Sequence, residues 1–116
     1  MKIHRELQVT EEGRIHPYQS LFWYVTGAFY QMRKDYKQAM MFFEDSVKLN
    51  PRNDTAWLSL GIVHIELGNW EQSIHCCEKA IEQGMDRAEP WFYIGTVLVK
   101  TKRYFDSIDK LNPHRK

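Results

Sequence analysis

The sequence predicts an all-α fold, a row of short antiparallel helices stacked as repeats, and three observations carry that prediction. Trp23, Trp57 and Trp91 are spaced 34 residues apart, and Gly27, Gly61 and Gly95 keep the same step; a fixed period of this size marks a repeat architecture. Within each period the apolar residues recur at helical steps and do not alternate. Gly, Pro, Asp and Asn punctuate the periods where helices would begin and end.

Taken in order, residues 1–19 precede the first period and read as an arm or short helix, with Ile3, Leu7, Val9 and Ile15 available to pack on the first unit. The repeat domain is expected over 20–116, with units at about 20–53, 54–87 and 88–112. In the first unit, Leu21, Phe22, Trp23, Val25, Ala28, Phe29 and Met32 make one helix, and Tyr36, Ala39, Met40, Phe43, Val47 and Leu49 the next. Asp35 with Gln38, and Asn69 with Gln72, have the spacing of an N-cap and its reciprocal partner. Gly68 and Gly84 suit helix C-termini, Asp54 is placed to cap the helix carrying Trp57, and Pro90 sits in a first turn. Pro51 after "KLN" closes the first unit, since proline cannot continue a helix interior. Two helices per unit give six, the last one short.

Composition sets bounds on function. The 116 residues are 43% hydrophobic and 14% aromatic, enough to bury one core, and the formal net charge of +1 recommends neither nucleic acid nor an anionic membrane as partner. The charged N-terminus "MKIHRELQVTEEG" is unlike a secretory signal, and no run approaches the roughly 20 apolar residues of a membrane span. Cys76 and Cys77 are adjacent, a poor geometry for a disulfide. A cytoplasmic protein with reduced thiols is expected.

With these residues in place, the chain resembles the tetratricopeptide repeat family, whose unit runs Trp, Leu-Gly, Tyr, Ala, Phe and a closing Pro. The first unit matches with Trp23, Gly27, Tyr30, Ala39, Phe43 and Pro51, Thr26 replacing Leu. The second keeps Trp57, Leu60 and Gly61, then has His64, Ser73 and Cys77; the third keeps Trp91, Ile94 and Gly95, then has Leu98, Ser107 and Leu111. The resemblance covers about residues 20–112 and implies a solenoid of three antiparallel helix pairs. Such arrays usually close with a polar-faced capping helix, and none is expected after Leu111. The end bearing Leu98, Tyr104, Ile108 and Leu111 is therefore a candidate self-association surface, for a homodimer or a larger complex.

The resemblance also implies a non-enzymatic binding module. First helices of such units line a groove for a peptide or amphipathic helix of another protein, and here that groove would show Tyr24, Val25, Ala28, Leu58, Ser59, Ile62, Phe92, Tyr93 and Thr96, edged by Gln31, Glu66 and Lys100. This surface suits hydrophobic anchors. Members that hold the acidic tails of heat-shock chaperones carry a clamp of Lys, Asn and Arg; those places fall on Tyr24, Ala28, Ser59, Glu89 and Tyr93, which offer no cation to a terminal carboxylate. Self-assembly through the third unit, or service as the interaction part of a larger enzyme, are the alternative readings.

His64, His75, Cys76 and Cys77 are zinc-ligand types, but His64 and Cys77 fall at core positions of the pattern, so neither a metal nor another cofactor is expected. Catalytic residues are not expected either. Glu44, Asp45, Glu78 and Glu82 fall on outward helix faces beside Lys48 and Lys79. Basic residues cluster at the turns of units one and three but not two, which leaves no continuous stripe for phosphates.

Overall fold

The computed structural model describes residues 17–111, with side chains for 18–103. Five α-helices run in order: α1 (Pro17–Met32), α2 (Tyr36–Leu49), α3 (Asp54–Leu67), α4 (Trp70–Glu82) and α5 (Glu89–Leu111). α1 with α2 and α3 with α4 form two helical hairpins, and α2 and α4 hand the chain on to α3 and α5. Ile3, Leu7, Val9 and Ile15 of the expected arm lie outside the described residues.

Each hairpin is built on one close approach. At Gly27 an added Cβ would stand 2.7 Å from a ring carbon of Phe43, which is fully buried. At Gly61 it would stand 3.1 Å from Cys77 Sγ. The missing side chain lets α2 and α4 settle against α1 and α3, and the large residues then fill the flanks. Trp23 stacks on Phe42 with ring centroids 5.5 Å apart, Tyr30 stacks on Phe42 from the other side at 5.4 Å, and Tyr24 meets Phe43 at 5.6 Å. Burying an aromatic side chain of this size is worth about 1.5–3 kcal/mol. At the far end of the first hairpin, Ser46 Oγ donates to Ser20 O at 2.9 Å and Ser20 Oγ donates to Ser46 O at 3.1 Å, so two buried hydroxyls are satisfied without a solvent path.

The turns obey local chemistry. Asp35 caps α2 by accepting from Gln38 N, as expected, and Gly68 ends α3 at φ 77°. The same repeat position in the first unit is Lys34, which carries φ 62° without glycine's freedom. Two expected caps are corrected. Asn53 rather than Asp54 caps α3, because its side chain reaches Ala56 N; Asn69 makes no cap bond and turns its amide to His64 instead. Trp57 Nε1 donates to Pro51 O at 2.7 Å, which ties the second unit to the turn before it.

The third unit departs most from expectation and is corrected. The repeat fold is as expected, but α5 is one helix of 23 residues, so no third helix pair forms among the described residues. The turn residues explain this. Where units one and two place Lys34-Asp35 and Gly68-Asn69, unit three has Lys102-Arg103; arginine has no side-chain acceptor with which to cap a new helix, so the ordinary helical continuation wins. Among the described residues nothing stands within 4 Å of where a Gly95 Cβ would be, and Trp91 is 62% exposed where Trp23 is 5%.

Ser73 takes the small position facing Gly61, and its buried hydroxyl has no hydrogen-bond partner among the described residues. Urea unfolding is therefore expected to separate two alanine variants. Gly27→Ala should lose about 1–3 kcal/mol by overpacking against Phe43, whereas Ser73→Ala should gain on the order of 1 kcal/mol by removing an unpaired buried hydroxyl.

Candidate functional site

The first helices form an inner layer: α3 touches both α1 and α5, while α2 and α4 do not touch each other. The solenoid therefore curves with α1, α3 and α5 on its inside, and the residues projecting from that side form the candidate groove.

The nine expected groove residues divide by burial. Val25 and Phe92 are exposed, Phe92 by 67%, and Phe92 meets Tyr93 edge-on at 5.3 Å. Tyr24, Ala28, Ser59, Ile62, Tyr93 and Thr96 were expected beside them. All six of these are half-buried. Tyr24 and Ala28 rest on the core around Phe43 and Leu60, and Ile62 and Tyr93 on the core around Leu58 and Met85. Leu58, 4% exposed, is floor rather than contact surface. Ser59 Oγ donates to Tyr24 Oη at 3.5 Å, a long bond that links α3 to α1 across the groove. Thr96 Oγ1 is spent on Phe92 O, one turn back. Gln31 is half-buried, and Glu66 and Lys100 are exposed at the edge.

The structure also shows an apolar face on α1 that the sequence did not single out, apart from Val25, which was expected in the groove. Tyr18, Phe22, Val25, Phe29 and Met32 form a stripe along α1, each more than half exposed, with the Arg33 guanidinium 5.6 Å from the centre of the Phe29 ring. Apolar spacing puts Phe22, Val25, Phe29 and Met32 in one helix, and Tyr18 falls within the expected arm. The spacing gives no sign that the face is left open to solvent.

The expected self-association end is placed only in part. Leu98 is 56% exposed on α5. Tyr104, Ile108 and Leu111 belong to the same helix, and their side chains lie outside the described residues.

His64, His75 and Cys76 border a hollow of about 470 Å³ together with Met40 and Trp57, while Cys77 lies in the core cluster under Ile62 and Tyr93. Among the described residues no three His, Cys, Asp or Glu side chains are arranged to hold a metal ion. His64 Nδ1 accepts from the Asn69 amide at 3.1 Å, since that amide nitrogen can only donate. Burial lowers the His64 pKa from its ordinary 6.5. Burial, then the neighbouring Cys77 and Glu44, pushes the Cys76 thiol up to about 12; burial and Glu78 push Cys77 up to about 11. Both are free, buried thiols. Such groups are poor nucleophiles near neutral pH, because thiolate is the reactive form. No described helix is long and apolar enough to cross a membrane.

The sequence profile of the tetratricopeptide repeat family matches residues 31–94, more than half of the chain. A TPR repeat-containing protein of Schizosaccharomyces pombe is 25% identical over 76 residues, which are 66% of this chain but only 9% of that protein. Among solved structures, the Arabidopsis OM64 TPR domain superimposes with a TM-score of 0.72 at 23% identity, covering 86% of this chain and 88% of the domain. The TPR2AB domain of yeast Sti1, solved in a pHSP90 complex, gives 0.73 at 19% identity, covering 87% of this chain and 39% of its own.

Stability should depend on pH through the shifted groups. His64 is harder to protonate when folded, so the stability it contributes is complete above about 6.5 and lost as pH falls below that value. The two thiols are harder to ionise when folded, so theirs is complete below about 9.0 and lost as pH rises toward 11–12. Thermal melts should therefore be highest between these limits, and His64→Gln should flatten the acid limb. In the native protein at pH 7.5 both cysteines should resist a thiol reagent that labels them fully in urea.

Proposed function

Because the chain belongs to the tetratricopeptide repeat family, we propose that it is a non-enzymatic protein-interaction module whose inner face takes a peptide or amphipathic helix bearing hydrophobic anchors. The observation that carries this reading is the composition of the α1, α3 and α5 layer. Val25 and Phe92 stand free, with Tyr24, Ile62 and Tyr93 half-open beside them and supported from below by the core. Aromatic side chains held from behind lose little conformational freedom on binding, which is why such positions dominate interface energetics. Polar groups of the groove are largely spent on each other: Ser59 on Tyr24, Thr96 on the α5 backbone. Recognition here rests on apolar contact with little polar readout.

The likeness to a domain complexed with pHSP90 supports protein binding in general. It does not extend to an acidic tail. Tyr24, Ala28, Ser59, Glu89 and Tyr93 occupy the places where a terminal carboxylate would need cations, and the one ionised group among them, Glu89, is an acid paired with Arg87 at 3.4 Å. The chain spans about a tenth of the Schizosaccharomyces pombe relative, so we read the groove as an attachment point that serves a larger assembly.

Titration calorimetry with helical peptides of about 15 residues, carrying Leu or Phe at i, i+4 and i+7, tests this. Peptides with the anchors should bind, and Phe92→Ala should weaken them about 10- to 30-fold with the far-ultraviolet dichroism unchanged. An acidic peptide with a free C-terminal carboxylate should bind no better than its amidated form. Binding that follows the carboxylate and ignores Phe92 would overturn the reading.

A further inference from the structure

Neighbouring units meet where the second helix of one packs on the first helix of the next. On α3 that contact buries Ala56 and Val63, both 0% exposed, in the core with Phe43 and Val47 of α2. Thirty-four residues earlier, the same places on α1 hold Phe22 and Phe29, which are 55% and 51% exposed. The exposed face of α1 is therefore the face that a preceding second helix would cover, and it carries two phenyl rings where α3 has a methyl and an isopropyl group. At about 100° per residue, Phe22, Val25, Phe29 and Met32 fall within about 80° of arc, and Phe22 to Met32 spans about 15 Å.

The sequence itself puts residues 2–15 in the place of α2. Pro51 stands between α2 and α3, and Pro17, 34 residues before it, opens α1. These residues do not repeat the α2 pattern. The apolar residues of 1–16, Met1, Ile3, Leu7, Val9 and Ile15, all hold odd positions, and every even position is polar or charged. That is the alternation of an extended chain with one apolar side, whereas on a helix the same residues would scatter around the axis. His16 precedes a proline and is turned away from helical backbone, so the segment leaves the α1 axis there, and Gly13 gives it freedom to reverse. From Ile3 to Val9 an extended chain covers about 20 Å, enough to pass from Phe22 to Met32.

We propose that residues 3–15 fold back along α1 as an extended arm, with Ile3, Leu7 and Val9 covering Phe22, Phe29 and Met32, and so cap the N-terminal end of the solenoid. The end face of a stacked array needs such a cover, because its apolar residues have no neighbouring unit. The arm fills for the first unit the place that α2 fills for the second. Val25 lies at the border between this face and the groove, and the arm leaves Tyr24, Ile62 and Phe92 to a partner.

Paramagnetic broadening in the full chain tests the proposal. A nitroxide on Gln8→Cys, an even position away from the apolar side, reports where the arm lies; Cys76 and Cys77 are buried, so the reagent finds the new thiol. The amide signals of Phe29 and Met32, well separated in sequence from the label, should lose most of their intensity and regain it when the nitroxide is reduced. Leu7→Asp with Val9→Asp in the labelled chain should abolish that loss and leave the α3 and α4 signals in place. Phe29 and Met32 signals that keep full intensity overturn the proposal, whether the label broadens another surface or none. Broadening that survives the double change overturns it too, since apolar contact would then not hold the arm. So does broadening that arises only when label and observed signal are on different copies, which would put the arm on a neighbour.

Discussion

The fold depends on how closely two helices of one unit can approach. At Gly27 the approach is so tight that the ring of Phe43 occupies the volume a methyl group would need. Everything else in the first unit is arranged around that contact: Trp23 and Tyr30 sandwich Phe42, and the paired hydroxyls of Ser20 and Ser46 close the far end. The second unit uses the same device with a smaller knob, Cys77, and leaves the Ser73 hydroxyl unpaired among the described residues. Packing quality thus falls along the chain, and in the third unit the intrachain contact is not made among the described residues. In a solenoid each unit is stabilised chiefly by its own contact and its neighbours, and the third unit, without that contact among the described residues, shows Trp91, Phe92, Leu98 and Val99 exposed on α5.

The same geometry produces the candidate groove. Because second helices pack outward from the glycine notches and first helices touch each other, the inner layer is continuous from α1 to α5. Its side chains are held from behind by the core clusters, which makes half-buried aromatics available to a partner at low entropic cost. The buried thiols are members of these same clusters, Cys76 with Tyr24 and Ala28 packed on its cluster and Cys77 with Ile62 and Tyr93 on its own. Their shifted protonation equilibria, and that of His64, affect stability.

Much of this was legible in the sequence. The 34-residue recurrence of Trp and Gly announced the repeat, and the apolar spacing placed the first four helices. The cap residues were less legible. Adjacent acceptors compete for the same helix end: Asn53 outdid Asp54 at α3, and Asn69 was drawn off by the ring of His64. The third turn misled because the Trp and Gly pattern continues through it while the residues that would make the chain turn, Lys102 and Arg103, do not suit a turn. That signal was present at two positions and was outweighed by the periodicity of the whole. Apart from Val25, expected in the groove, the exposed stripe on α1 was not read, since an apolar helix face looks the same in sequence whether or not it is covered.

The central claim is that α5 runs unbroken through the place where the third unit should fold back, and one distance tests it most directly. Spin labels at positions 89 and 110, in trace chains diluted with unlabelled protein, report the separation within a single molecule. A continuous helix predicts about 32 Å between the labelled backbones. A closed third hairpin would bring them to about 15 Å, given interaxial spacings of about 8–10 Å. The longer distance is the result expected here, and the shorter one would contradict the account.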